Sequence, residues 1–422
     1  MGLERGNLLA GALALTLGLW GPLAHAETKL RVFIGGQQRP DVVRPLLDRY
    51  QAAHPGVSVE LEVGGATSDL QQQYLTTVLG SGDSAIDVML IDVVRQAQYA
   101  AAGWAEPLDP YLGDDRQKLL ADYLPVYAEA NQVGGRLIAM PAFADALFLY
   151  YRKDLLEKHG LAPPRTWDEL KAAAKKIQAA EGSKDLQGIS FQGKPIEGAV
   201  CTFLVPYWGA GGSLADAEGR FQLDRTAGEK AFDLWLEMIS DGIAKKNVAE
   251  VATDDTRKEF QAGNVVFAVL WAYGWSHFQN DPDSRVKDKV GVVPLPGFAG
   301  GPSATCIGGW EWAVSAFSEH KQEAAALVRF LSGPEGVKHL AIEASNLPVL
   351  TAMYQDPEVL ATNPWFKDAL SVVESARARP KSPRYPEISE VIRVNVNAVL
   401  AGVKAAPEAV GDMDARLSRL IR

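Results

Sequence analysis

No phosphate-cradling Walker loop, no G-x-S-x-G, no H-E-x-x-H and no C-x-x-C occurs anywhere in the 422 residues. The signatures of nucleotide hydrolysis, serine hydrolases, zinc peptidases and thiol redox enzymes are therefore missing. Histidine is scarce, and His159, His277, His320 and His339 stand singly, without ligand spacing. Neither a metal site nor a Ser-His pair is expected, and no cofactor is required. Cysteine is scarcer still, with Cys201 and Cys306 alone. They are either a disulfide or two buried free thiols, and their separation along the chain does not say whether their Cα atoms come within bonding reach. Positive charge is in deficit, 42 basic against 52 acidic residues for a net charge of −10, which excludes nucleic acid as a partner. Internal repeats and low-complexity runs are absent. After residue 27 no run approaches the roughly 18 uninterrupted apolar residues of a membrane span, so a soluble body is expected.

What is present is an ordinary globular composition, 47% hydrophobic and 22% charged, with enough apolar residues for a large core and a length that fits about two domains. Residues 1–26 differ from the rest. Arg5 precedes an apolar run from Leu8 to Trp20, and Ala24-His25-Ala26 places small residues before a cut. This pattern predicts a cleavable secretory signal peptide, a mature chain beginning at Glu27 and a periplasmic protein. No cysteine follows the small residues, so no lipid anchor is expected.

The chain then opens β-α-β: a strand over Lys29–Ile34 ending in Gly35-Gly36, a helix over 42–53 stopped by Pro55-Gly56, and a strand over Val57–Val63. A helix over Ser68–Gly80 follows, then a short apolar strand that stops at Asp92. In open α/β sheets the carboxyl ends of strands face the ligand crevice, which makes Asp92 a candidate contact. One helix is expected over 116–132. The stretch Ile138–Leu156 is central: Pro141 marks a break, Phe143 and Asp145 follow at alternate positions, and Ala146–Tyr151 has the composition of a buried strand. Phe143 and Asp145 therefore share a side, and a ring beside a carboxylate suits a sugar, whose C–H faces stack on rings while its hydroxyls donate to carboxylates. Thr166 and Glu169 form a capping-box pattern. Trp271-Ala-Tyr273 follows a strand, and Gly309-Trp310-Glu311-Trp312 follows a glycine turn, so large rings stand just beyond strand ends as stacking platforms. The alternative is that Trp271 and Trp312 are core and only Trp310 and Tyr273 reach solvent. Glu311, Arg39 and Arg379 occupy the same class of position.

Several of these segments together resemble the extracellular solute-binding proteins of carbohydrate ABC transporters. They are the glycine turn after the first strand, Asp87-Val-Met-Leu-Ile-Asp92, Pro141-Ala-Phe-Ala-Asp-Ala with Tyr150-Tyr-Arg-Lys-Asp-Leu-Leu, Gly211-Gly-Ser-Leu and Gly308-Gly-Trp. The order of segments matches across essentially the whole mature chain. Arg379-Pro-Lys-Ser-Pro and Pro386-Glu-Ile-Ser make it most similar to the trehalose/maltose-binding branch. The resemblance implies an α/β fold of the periplasmic-binding-protein kind, two lobes joined by a multi-segment hinge with ligand between them. The lobes would comprise 27–142 plus 308–347 and 143–307 plus 348–422.

Asp92 and Asp145 would then accept hydroxyl hydrogen bonds, Trp271, Tyr273 and Trp310 would stack on pyranose rings, Gly309 would bring backbone close to the sugar, and Arg379 would donate to it. Phe143 stands where the branch commonly has tyrosine, and Arg39 where an acidic residue is common. Arg39 is either a selector of an anionic ligand, such as an acidic or sulfonated glycoside, or simply solvated. The implied protein is a monomeric receptor without catalysis that delivers a small carbohydrate, read here as a plain disaccharide, to ABC permease subunits. The rival from another class is a secreted glycoside hydrolase using Asp92 and Asp145 as its acid pair. A third reading keeps the receptor but changes the cargo to a non-sugar such as a polyamine or peptide; abundant Trp and Tyr beside few acids argue against a polycation.

Overall fold

The protein is described here by a computed structural model covering residues 28–113, 116–216 and 220–421; the expected signal peptide lies outside the described residues. Ten strands are present among them: β1 (Thr28–Gly35), β2 (Val57–Gly64), β3 (Val88–Asp92), β4 (Gln132–Val133), β5 (Arg136–Leu137), β6 (Met140–Arg152), β7 (Gln187–Ser190), β8 (Val265–Trp271), β9 (Val290–Val293) and β10 (Ile307–Val314). All but the small β4–β5 hairpin join in the order β2-β1-β3-β10-β6-β8-β7, with β9 also paired to β6.

That order divides at β6. Its first half, Met140–Ala146, pairs antiparallel with β10 and so with the β3-β1-β2 sheet, whereas Leu147–Arg152 pairs with β8 and β9. One strand therefore belongs to two lobes. Side chains alternate across a pleated strand, and here the alternation separates cores: Phe148 and Tyr150 enter the core that also contains the first lobe, while Leu147 and Leu149 enter the core of helices 197–209, 225–240 and 385–400. The short helices near the junction bridge further, Pro357–Thr362 packing on Pro334–Ala344 and Phe366–Ser375 on β6.

Two local expectations need correction. Pro141 does not break the central stretch, because β6 runs through it; the register against β10 shifts between Trp310 and Glu311, and this irregularity accommodates a residue without an N–H. The single helix expected over 116–132 is two, Arg116–Ala121 and Pro125–Ala130. Proline forces the residue before it out of helical geometry, and Leu124 has ψ 126°. Elsewhere Thr166 and Glu169 form the expected reciprocal cap. The apolar run around Cys201 forms a helix, Glu197–Gly209, with all 13 residues buried, which explains why it shows no amphipathic face.

Cys201 on this helix and Cys306, one residue before β10, are joined as a disulfide with Cα atoms 5.8 Å apart. The bond closes a loop between positions 105 apart in sequence. Loop-closure entropy sets an upper estimate of about 4–5 kcal/mol for a ring of that size. The double variant Cys201→Ser/Cys306→Ser should unfold at lower denaturant than the oxidised wild type, by up to that amount in free energy. Coincident urea curves for the two would contradict this.

Candidate functional site

Asp92 ends β3, Phe143 and Asp145 lie on the first half of β6, Trp271 ends β8, and Gly308-Gly309-Trp310 open β10. Strand pairing brings them together directly, with Trp310 opposite both Asp92 and Phe143, Gly308 opposite Asp145, and Leu147 opposite Trp271. The result is a cavity at the junction of the lobes. About 750 Å³ of it is free of atoms, open solvent included. Asp92, Phe143, Asp145, Trp271, Tyr273, Gly309, Trp310 and Arg379 all line it. Arg39 does not. It sits in a left-handed turn at φ 52°, and its guanidinium is turned to Asp41, 2.7 Å away, and donates to Ser276 Oγ at 3.1 Å.

The glycines have a steric reason. Gly309 has φ 129°, and a Cβ there would fall 2.7 Å from the Tyr127 ring and 2.8 Å from the Phe143 carbonyl oxygen. A Cβ on Gly308 would fall 2.5 Å from the Trp271 ring. Tyr127 fastens this corner from below. Its hydroxyl donates to the Gly308 carbonyl at 2.6 Å and accepts the Asp145 N–H at 2.9 Å.

Asp145 is 7% exposed. Its Oδ1 accepts the N–H groups of Ala146 and Ala272, both at 2.8 Å, and its other oxygen takes no hydrogen bond from a described residue. Burial pushes its carboxyl up to about 7, against the two amides that favour the charged form. Asp92 accepts the Ser68 hydroxyl at 2.8 Å, with Arg379 Nη2 3.5 Å from its other oxygen. Arg379 is 6% exposed and donates to Glu197 at 2.7 Å and to the Ile307 carbonyl at 3.1 Å. Burial opposes its charge, and Tyr385, Asp92 and Glu197 outweigh that and hold it protonated. The cation balances two acids and keeps a buried Nε without a protein partner. Rings faced by fixed acceptors and one fixed cation can hold a flat, hydroxyl-rich molecule.

Residues 35–338 match the family of bacterial extracellular solute-binding proteins. The chain belongs to that family. Among relatives of this solute-binding protein, a probable ABC transporter-binding protein of Deinococcus radiodurans is 34% identical over 87% of this chain and 88% of its own. Maltose-bound MalE3 of T. maritima superposes with a TM-score of 0.86 at 32% identity, covering 93% of this chain and all of that one. The GacH receptor of Streptomyces glaucescens, solved unliganded and with acarbose, gives 0.83 at 25% identity over 94% and 98%.

Several residues of this solute-binding protein's cavity carried no sequence signal. Ser68 and Asp69 begin a helix and have the composition of ordinary caps, and Glu197 opens a uniformly apolar helix. Thr253 and Asn346 are isolated polar residues. Trp312 is fully buried while Trp271, Tyr273 and Trp310 are half-buried. The division into core and platform thus falls between Trp312 and the other three rings.

Glu311 is excluded from the cavity. It is fully buried, accepts from Asn131 Nδ2 at 2.8 Å and leaves its other oxygen unpartnered. Burial holds its carboxyl well above the ordinary 4.5. Because the folded value is the raised one, its contribution to stability is complete below about 4.5 and is lost as pH rises through the folded value. Denaturant melts of wild type and Glu311→Gln from pH 5 to 9 should diverge toward alkaline pH, wild type losing up to about 1.4 kcal/mol more per pH unit. Parallel curves would contradict a neutral Glu311.

Proposed function

We propose that this chain is the ligand-capturing receptor of an ABC importer for a carbohydrate, binding a disaccharide of the trehalose or maltose type without catalysis. The observation that carries the reading is the convergence of four aromatic side chains and three buried carboxylates in one cavity between lobes that share strand β6. Asp92 and Asp145 accept sugar hydroxyls, Trp310, Trp271 and Tyr273 stack on the rings, Phe143 closes one wall, Gly309 admits the sugar to the backbone, and the free Nε of Arg379 supplies a donor. Support from relatives is of the same kind, since the T. maritima protein holds maltose and the S. glaucescens receptor acarbose.

The lobes in this reading are 27–142 plus 308–347 and 143–307 plus 348–422. The signal peptide over 1–26 carries the chain to the periplasm, where it works as a free monomer and presents its closed form to the transmembrane permease subunits. Among the described residues no helix is long and apolar enough to cross a membrane. Selection of an anionic glycoside by Arg39 loses support, because Asp41 already pairs with that guanidinium. A hydrolase reading is equally weakened: Asp145 is fixed by two amides and Asp92 by Ser68 and Arg379, in a family of binding proteins.

A thermal-shift screen over trehalose, maltose, polyols and acidic sugars tests the reading. A ligand at about a hundred times its dissociation constant adds about 2.7 kcal/mol to stability, and at least one neutral sugar should raise the melting temperature. Absence of any carbohydrate response would overturn the proposal. With the responding sugar, Trp310→Ala should weaken binding by about 1 kcal/mol or more, seen by calorimetry; unchanged affinity would remove the ring from the site. Hydroxyls donating to Asp145 favour its charged form. Affinity should therefore fall as pH drops below about 7, and Asp145→Asn should flatten that profile.

A further inference from the structure

Helix Glu197–Gly209 follows Ile196, which has no side-chain oxygen to accept the first free amides. The acceptor comes from the other lobe. Asp69 Oδ2 takes the Glu197 N–H at 2.8 Å, and Asp69 Oδ1 lies 3.1 Å from Arg393 Nη1. Asp69 belongs to the first turn of helix Ser68–Gly80, which packs on β1 and β2. Helix Glu197–Gly209 packs instead on Arg225–Ser240 and on Tyr385–Leu400, the helix that carries Arg393. One carboxylate therefore stands at the starts of two helices in different lobes, at the edge of the cavity, and pairs with a cation from the far side.

Each half of this arrangement persists without the other. Arg393 Nη1 also donates to the Pro195 carbonyl at 2.7 Å within its own lobe, so it stays aimed at the gap when Asp69 departs. Asp69 likewise remains favourable at the start of its own helix. What exists only when the lobes meet is the pair of cross-lobe bonds. Their net strength is moderate: burial and the neighbouring Glu197 raise the Asp69 carboxyl, against the Glu197 N–H, Arg393 and Arg95, and Asp69 and Arg393 side chains keep 23% and 24% of their exposure. A contact of that size biases closure without locking it, and it acts on release, because an interaction made only in the closed form is absent from the encounter of sugar with the open cleft.

We propose that Asp69 is a clasp residue that sets how long the sugar stays bound, by capping helix Glu197–Gly209 and pairing with Arg393 across the closed cleft. The proposal rests on the receptor reading above. Asp69 also lines the cavity, whereas Arg393 does not, so the two together separate a clasp from a direct sugar contact.

The test is stopped-flow tryptophan fluorescence with maltose and trehalose on the full chain. Dissociation should accelerate roughly tenfold in Asp69→Ala and roughly threefold in Arg393→Met, with association rates unchanged. Asp69→Asn, which keeps an acceptor for the Glu197 amide but loses the ion pair, should fall between wild type and Asp69→Ala. The double variant Asp69→Ala/Arg393→Met should dissociate no faster than Asp69→Ala alone, since both remove one clasp. Unchanged dissociation in Arg393→Met, multiplicative effects in the double variant, or a loss confined to the association rate would each overturn the clasp. Should neither sugar bind wild type, the receptor reading fails for these sugars. The clasp is then decided with the sugar that most raises the melting temperature: faster dissociation of that sugar in Asp69→Ala and Arg393→Met supports it, and unchanged dissociation in both overturns it.

Discussion

Everything at the cleft depends on one strand being shared by two sheets. A strand can be completed on both edges by different partners along its length, and β6 is: β10 over its first half, β8 and β9 over its second. The changeover falls between Ala146 and Leu147, one residue after Asp145. Backbone hydrogen bonding therefore fixes the Asp145 carboxylate at the place where two cores separate, and the positions that follow fill one core or the other by simple pleat alternation. A side chain so placed has no core of its own to enter. It faces the gap.

The same geometry explains the electrostatics. A buried carboxylate without donors is costly, and the structure supplies them: the backbone amides of Ala146 and Ala272 for Asp145, the Ser68 hydroxyl and the Arg379 guanidinium for Asp92. Among the described residues Arg379 carries the only positive charge lining the cavity, and it is itself held by Glu197 and the Ile307 carbonyl. The two amides on Asp145 come from its own strand and from the residue after β8, so binding does not have to order that carboxylate. The disulfide between Cys201 and Cys306 adds a covalent tie between the helix that starts at Glu197 and the strand that carries Gly308, Gly309 and Trp310.

Much of this was legible in the sequence, for physical reasons that also explain what was not. Asp92 and Asp145 stand out because a charge between apolar neighbours at the end of a strand needs a donor, and Gly309-Trp310 because a large ring beside glycine is rarely core. Arg39 misled. Its position after the first strand points toward the crevice, but a left-handed backbone and Asp41 two residues on turn the guanidinium aside. Glu197 was invisible, since a helix buried on every side has no periodicity to mark its ends. Pro141 suggests a break because a proline inside a strand usually makes one, and only the partner strand's register shift, a long-range feature, makes room for it. Asp69 looked like an ordinary first-turn acid, and its second role exists only across the gap between lobes.

The account stands on a carbohydrate being held in this cavity by these groups, and a crystal structure of the protein with the sugar that stabilises it most tests that directly. It predicts a ring stacked on Trp310, with hydroxyls within hydrogen-bonding distance of both Asp92 and Asp145 and the sugar enclosed between the lobes. Sugar bound elsewhere, or in the cavity without touching either carboxylate, would contradict it.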